Sequence, residues 1–233
     1  MSTPSRVVLI TGASRGIGRA TARALGAKGC AVGVNYARNA AAAAQTALEV
    51  ERAGGRSLVV QADVADEAAV CSMFDAVVQT FGRLDALVNN AGIVGPSMPL
   101  ADMGGERLKR MFDVNVLGAY LCAREAARRM STDRGGYGGA IVNVSSAASR
   151  LGSPNEYVDY AGSKGAVDTM TIGLAKELGP HGVRVNAVRP GLIDTEIHAS
   201  GGRPERAAAL GTQTPAGRPG TADEVAAAIV WLL

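Results

Sequence analysis

The chain has 233 residues, with 24 basic and 21 acidic side chains for a formal charge of +3, and only 4 % aromatics. Its length suits one large α/β domain with a substantial core, and so small and unclustered a charge excess excludes the electrostatic footprint of a nucleic-acid binder or an anionic-membrane binder. No run reaches the ~20 apolar residues of a membrane span, and the opening Met1–Arg6 is too short and polar for a secretory leader, so a soluble, cytoplasmic protein is expected.

Val7–Ile10 is a short apolar run of the kind that forms a buried parallel strand. It leads into Thr11-Gly12-Ala13-Ser14-Arg15-Gly16-Ile17-Gly18, and then into helix formers from Arg19 to Lys28. A strand, a glycine-rich turn and a helix N-terminus together make an anion site, because free backbone N–H groups and the positive helix end meet there. Gly12 suits the tight turn, Gly16 the close approach of a pyrophosphate, and Gly18 close helix packing. The spacing Gly-x-x-x-Gly-x-Gly departs from the commoner Gly-x-Gly-x-x-Gly, and among 30 glycines such a match carries weight only in company. Gly29 suits a helix end ahead of a second strand over Ala31–Tyr36. Asn39 caps a helix running to about Ala53, stopped by Gly54-Gly55. A third strand is expected over Leu58–Ala62, a helix over Asp66–Phe81 and a fourth strand over Ala86–Asn89. A long helix through Arg107–Met130, broken near Asn115, precedes a glycine-rich loop at Gly135–Gly139. A fifth strand follows at Ile141–Val144, a helix at Asp159–Leu178, a sixth strand at Val183–Val188, and a last helix over Ala222–Leu233, starting near Thr221. This alternation demands crossover connections, so a Rossmann-type doubly wound parallel sheet with helices on both faces is expected, as a single domain over 1–233. Ligands of such sheets bind beyond the carboxyl ends of the strands.

Cys30, Cys71 and Cys122 are isolated and odd in number, which reads as reduced thiols and not a disulfide framework. His181 and His198 form no ligand cluster with them, so no metal site is expected and redox chemistry must come from an organic cofactor. Tyr160 and Lys164, four residues apart on an expected helix, share one face. A phenol titrates near pH ~10, and a neighbouring cation favours its charged form, so the spacing predicts a Tyr160 hydroxyl made usable as acid or base by Lys164. Taken alone, this is also the spacing of an ordinary helix-surface pair.

In combination the motifs resemble the short-chain dehydrogenase/reductase family, in the manner of its glucose-1-dehydrogenase-like and 3-oxoacyl-ACP-reductase-like members. The resemblance is carried by the run Thr11 to Gly18, Asp63-Val64, Asn89-Asn90-Ala91-Gly92, Asn115, Ser145-Ser146, Tyr160-x-x-x-Lys164 and Pro190-Gly191. It implies an oxidoreductase that moves hydride between a nicotinamide cofactor and a carbonyl or secondary alcohol. Tyr160 is then the proton donor in reduction, with Lys164 lowering its pKa and contacting the nicotinamide ribose. Ser146 is the second donor to the substrate oxygen, with Ser145 as its rival, and Tyr157 is a rival for the phenol. Asn115 matches the family asparagine that opens its helix and connects the lysine to solvent. The resemblance further implies cofactor contacts from Gly12, Ser14, Arg15, Gly16, Ile17 and Gly18, and from Asn35, Tyr36 and Arg38. Asp63 and Val64 would meet the adenine, although Asp63 also suits a helix cap. Asn90, Ala91 and Gly92 would line the cofactor, while Pro190, Gly191, Ile193 and Thr195 would cover the carboxamide.

A cofactor without a 2′-phosphate is usually held by an acidic residue after the second strand, and Asn35-Tyr36-Ala37-Arg38 contains none. Arg15 and Arg38 offer guanidinium forks to a phosphate instead, so NADP(H) is expected ahead of NAD(H). Substrate specificity is expected in a loop at about 191–215. Family members usually continue into a seventh strand, which is not expected here, and are commonly tetramers or dimers, so a homo-oligomer is expected. The same residues serve a 3-oxoacyl-thioester reductase or a sugar 1-dehydrogenase, and a nucleotide-binding regulatory protein is the non-enzymatic alternative.

Overall fold

The computed structural model describes residues 6–233, and Met1–Ser5 of the opening segment read above as too polar for a leader lie outside them. Strands β1 (Val7–Ile10), β2 (Ala31–Tyr36), β3 (Arg56–Gln61), β4 (Ala86–Asn89), β5 (Gly139–Val144) and β6 (Val183–Val188) form one parallel sheet in the order β3-β2-β1-β4-β5-β6. Between them run α1 (Gly16–Gly26), α2 (Ala40–Arg52), α3 (Glu67–Phe81), α4 (Gly105–Phe112), α5 (Gly118–Met130), the single turn α6 (Ala148–Leu151) and α7 (Val158–Leu178). After β6 come β7 (Ile193–Asp194), α8 (Ile197–Ser200), α9 (Arg206–Gly211), β8 (Gly220–Thr221) and α10 (Ala222–Leu232). The strand order reverses between β1 and β4, which opens a crevice at their carboxyl ends.

Alternation along the strands divides the core in two. Val7 and Leu9 join Phe74 and Met73 of α3 and Cys122 and Met130 of α5 on one face. Val8 and Ile10 join Leu25 of α1, Val50 of α2 and Ile229 of α10 on the other. The fold is thus the expected single α/β domain with a doubly wound parallel sheet. The apolar end of α10 finds its cover within the chain, since Val225 and Ile229 are buried against the sheet while Trp231 stays exposed. A capping box between Thr221 and Glu224 starts that helix. Among the described residues the large sheet ends at β6.

Several boundaries differ from the sequence expectation for identifiable reasons. α1 begins at Gly16, ahead of the run of helix formers from Arg19, and includes Gly18, where a Cβ would lie 2.6 Å from the Gly12 carbonyl oxygen. Close packing of loop on helix thus outweighs the poor helix propensity of glycine. The expected break near Asn115 is a five-residue π turn over Asp113–Leu117. The loop at 191–215 is not featureless: β7 and β8 pair through Ile193 with Gly220 and Asp194 with Thr221, pinning both ends of a segment that carries α8 and α9.

Phe74 is fully buried in the first core cluster. Phe74→Ala is expected to lower stability by about 3–5 kcal/mol, read as a shifted urea midpoint in an otherwise unchanged unfolding curve.

Candidate active site

The glycine-rich loop is braced before it can bind anything. Asn35 is buried at the end of β2, where its Oδ1 accepts from the Gly12 N–H at 3.0 Å and its Nδ2 donates to the Ala62 carbonyl at 3.1 Å. From the other side of the crevice, Asn90 Nδ2 donates to the Thr11 and Gly12 carbonyls at 2.9 and 3.0 Å. The buried Thr11 hydroxyl accepts from the N–H groups of Asn90 and Ala91, both at 2.9 Å. These bonds brace Gly12 across the switch point between β1 and β4, and Gly12 and Gly16 both have positive φ, 63° and 52°. At the start of α1, Arg15 is extended and gives no side-chain cap, which leaves the first-turn N–H groups of Gly16, Ile17 and Gly18 as donors for an anion. Ser14 is half-buried beside them. The structure therefore fits a dinucleotide pyrophosphate. It also corrects one expectation: Asn35 uses its amide to build the loop and does not present it to the crevice.

Tyr160 and Lys164 lie on the first two turns of α7, as the spacing predicts. Lys164 Nζ is 5.7 Å from the Tyr160 ring centroid and donates to the Val144 carbonyl at 2.8 Å. Burial pushes the lysine down to about 8 from its ordinary 10.5, against the opposing field of Asp168 one turn further on. Burial also pushes the Tyr160 phenol above its ordinary value, and the Ser146 hydroxyl, hydrogen-bonded to it, acts in the opposite sense. The expectation that Lys164 holds this phenol below its ordinary value is therefore not met. The ammonium is spent on a backbone carbonyl, and desolvation outweighs it. Of the two serines, Ser146 is the one close enough to act on the phenol's pKa, whereas Ser145 is buried and donates to the Lys164 carbonyl at 3.2 Å. Tyr157 is buried at the start of α7, below the Arg206 guanidinium.

Asn115 sits in the π turn with its whole amide engaged. Oδ1 accepts from the Ile93 N–H at 2.8 Å, while Nδ2 lies 2.9 Å from the Ile93 carbonyl and 3.1 Å from the Ser163 hydroxyl. It thereby ties the backbone after β4 to α7. A Cβ on Gly92 would come within 3.4 Å of both Asn115 Oδ1 and Lys164 Nζ, so this glycine lets the two groups flank the strand end. Asp63 accepts from the Ala65 N–H at 3.1 Å and from Arg110 at 2.7 Å. Burial would raise its pKa, but these bonds and the field of Arg38 leave it lowered. Val64 is buried against Gly118. Tyr36 is half-buried, and Arg15 and Arg38 are exposed on the two sides of the loop. Thr195 reaches Gly16, whose missing Cβ would stand 3.4 Å from it. The Pro190 carbonyl accepts from Ala147 at 2.9 Å, Gly191 is exposed, and Ile193 packs on the second core cluster.

A profile described as Enoyl-(Acyl carrier protein) reductase matches residues 12–233. An uncharacterized oxidoreductase of Escherichia coli (strain K12), YgfF, is 54 % identical over 227 residues, covering 97 % of this chain and 92 % of its own. The chain belongs to the short-chain dehydrogenase/reductase family. Another relative, an NADPH-dependent aldehyde reductase-like chloroplastic protein of Arabidopsis thaliana, is 41 % identical across 94 % of this chain and 84 % of its own. Among solved family structures, a short-chain dehydrogenase from Burkholderia cenocepacia J2315 in complex with NADP superposes with a TM-score of 0.86 at 35 % identity, covering 98 % of this chain and 90 % of that one. Oxidoreductase activity with a nucleotide cofactor follows from this membership.

Three groups escaped the sequence analysis. The buried Asp159 pairs with Arg107, 2.9 Å from its Nε, and accepts from the Tyr160 N–H at 2.9 Å. Asp168 pairs with Arg189 at 2.9 Å, and Ser163 donates to the Tyr160 carbonyl at 2.7 Å. Each partner lies far away in sequence or is an unremarkable helix residue, so spacing alone carried no signal.

The depressed Lys164 pKa has a measurable consequence. Between about pH 8 and 10.5 the unfolded chain keeps this proton and the folded chain releases it, so the cost of burying the charge is present below pH 8 and disappears as pH rises. Relative to Lys164→Met, the wild-type chain is expected to gain stability across that window, by at most about 1.4 kcal/mol per pH unit. Paired urea midpoints from neutral pH upward check this.

Proposed function

We propose that the protein is an NADP(H)-dependent reductase of carbonyl compounds, reversible with the corresponding secondary alcohols. The observation that carries this is the Tyr160 phenol, whose pKa the nearby Ser146 hydroxyl lowers against the effect of burial, with the Lys164 ammonium 5.7 Å from its ring centroid. A phenol whose pKa is raised is protonated at neutral pH, and reduction is the direction that needs a proton donor. The cofactor, when bound, supplies the hydride. Tyr160 gives its proton to the carbonyl oxygen as negative charge builds there, Ser146 donates a second hydrogen bond to the same oxygen, and Lys164 stabilises the phenolate left behind. Asn115 holds the strand end beside them.

Preference for NADP(H) over NAD(H) is supported by Arg15 and Arg38, both exposed beside the loop, and by the lack of a carboxylate in 35–38. The printed names of the Arabidopsis and Burkholderia relatives point the same way. Removal of both guanidiniums by Arg15→Ala with Arg38→Ala is expected to lower kcat/KM with NADPH by about tenfold or more per arginine, and to leave that with NADH nearly unchanged. Equal or better wild-type efficiency with NADH would defeat the preference.

We also infer a cytoplasmic homo-oligomer, dimer or tetramer. Phe112, Leu117 and Tyr120 leave apolar surface around the π turn, which a second copy could cover. Among the described residues no helix is long and apolar enough to cross a membrane.

The deciding assay is NADPH consumption over ketones, keto esters such as ethyl acetoacetate, acyl thioesters and diketones, with sugars tested in reverse using NADP+. Turnover restricted to acyl thioesters or to sugars would favour the 3-oxoacyl reductase or sugar 1-dehydrogenase alternative, and cofactor binding without turnover the regulatory one. Tyr160→Phe is expected to abolish turnover while NADPH affinity, followed by fluorescence titration, stays nearly intact.

A further inference from the structure

The segment that leads into α7 is strained, and its strain has a purpose beyond starting a helix. Ser153 and Asn155 adopt left-handed backbone, with φ of 46° and 61°, a conformation that non-glycine residues avoid unless the surroundings impose it. Between that turn and the helix sits Glu156. Its Oε1 accepts from Arg203 Nη1 at 3.0 Å and from Arg206 Nη1 at 2.8 Å, two guanidiniums carried by the segment between β7 and β8. Its carbonyl accepts from the Met98 N–H at 3.1 Å, which attaches the chain after β4 to the same point. The next residue, Tyr157, is buried with its ring 5.2 Å from the Arg206 guanidinium carbon. On its far side the segment touches the chain after β4 again, where a Cβ on Gly201 would lie 3.1 Å from the Gly95 carbonyl oxygen.

The geometry points to Glu156 as a positioning residue: its carboxylate, shared by Arg203 and Arg206, latches residues 197–211 over the active site and so sets how tightly the carbonyl substrate is enclosed. The latch grows from the leader of the helix that carries Tyr160, four residues before that phenol. Cover and proton donor are therefore placed by one short stretch of chain. β7 and β8 pin the ends of the cover, and among the described residues no ion pair but those of Glu156 ties its middle to the rest of the fold. The three side chains are partly exposed, with 30 % for Glu156, 38 % for Arg203 and 18 % for Arg206, so salt reaches and screens the pairs.

The inference deepens the reductase assignment and rests on it only for its kinetic arm. Hydrogen exchange of Glu156→Gln against the wild-type chain tests the latch without any substrate. Amides of 197–211 are expected to exchange about tenfold faster or more in the variant, while those of β4, β5 and α7 keep their protection and report an intact fold. Wild-type protein in 1 M salt, where the screening length is about 3 Å, is expected to show the same loosening, and the variant no further change. In the NADPH assay with ethyl acetoacetate, or the panel member reduced fastest, E156Q is expected to raise KM about fivefold or more with kcat within about twofold. Unchanged protection of 197–211 in both E156Q and high salt would overturn the latch, and faster exchange with an unchanged KM would overturn its role in substrate enclosure. A wild-type chain that reduces nothing in the panel would sink the reductase assignment, and exchange alone would then decide the latch.

Discussion

Lys164 keeps its ammonium in nearly dry surroundings through one backbone carbonyl, that of Val144 at the end of β5. A buried charge with so little company is costly, and much of the site consists of the arrangements that make it tolerable. Ser145 returns a hydrogen bond to the lysine's own carbonyl, so strand and helix are joined in both directions. Asp168 supplies an opposing field one turn away and is itself held by Arg189. Gly92 leaves room where a Cβ would meet both the amine and the Asn115 amide. These groups come from the connections on either side of β5, from β4 to β5 and from β5 to β6, so the surroundings of the ammonium form only when β4, β5 and β6 are in register.

Desolvation explains why the electrostatics depart from the simple picture of a cation that acidifies a phenol. The same dry environment that lowers the lysine raises the tyrosine, and a carbonyl, not the phenol, takes the lysine's hydrogen bond. Proximity at 5.7 Å gives attraction to the ring face, but this does not offset the desolvation of the hydroxyl. What the pair offers is a full proton inventory near neutrality.

The sheet was legible in the chain because each strand is a short apolar run bounded by turn residues, and all six lie where those runs predict them. Tyr160 and Lys164 were legible as neighbours because a four-residue spacing on a helix brings them together, whereas Ser146 was singled out by the family resemblance alone. What escaped was long-range and polar. The Arg107–Asp159 pair spans 52 positions and the Glu156–Arg206 pair 50, and no periodicity links such partners. The desolvation that reverses the phenol's expected shift arises from packing and cannot be read from four-residue spacing. Helix propensity alone also does not give the start of α1, where Gly16 takes a left-handed φ and Gly18 has no room for a Cβ.

Asn35 gives the loop its brace by donating and accepting at once, and this ties coenzyme choice to architecture. An aspartate there would keep the bond from Gly12 but turn the donor toward the Ala62 carbonyl into a buried oxygen facing oxygen, which is repulsive and desolvated. A carboxylate for a ribose is thus disfavoured at Asn35, while Ala37 and Arg38, exposed past the strand, are open to one. Evolution of this scaffold faces the same asymmetry: its coenzyme can be exchanged from the rim inward, never from the foundation outward.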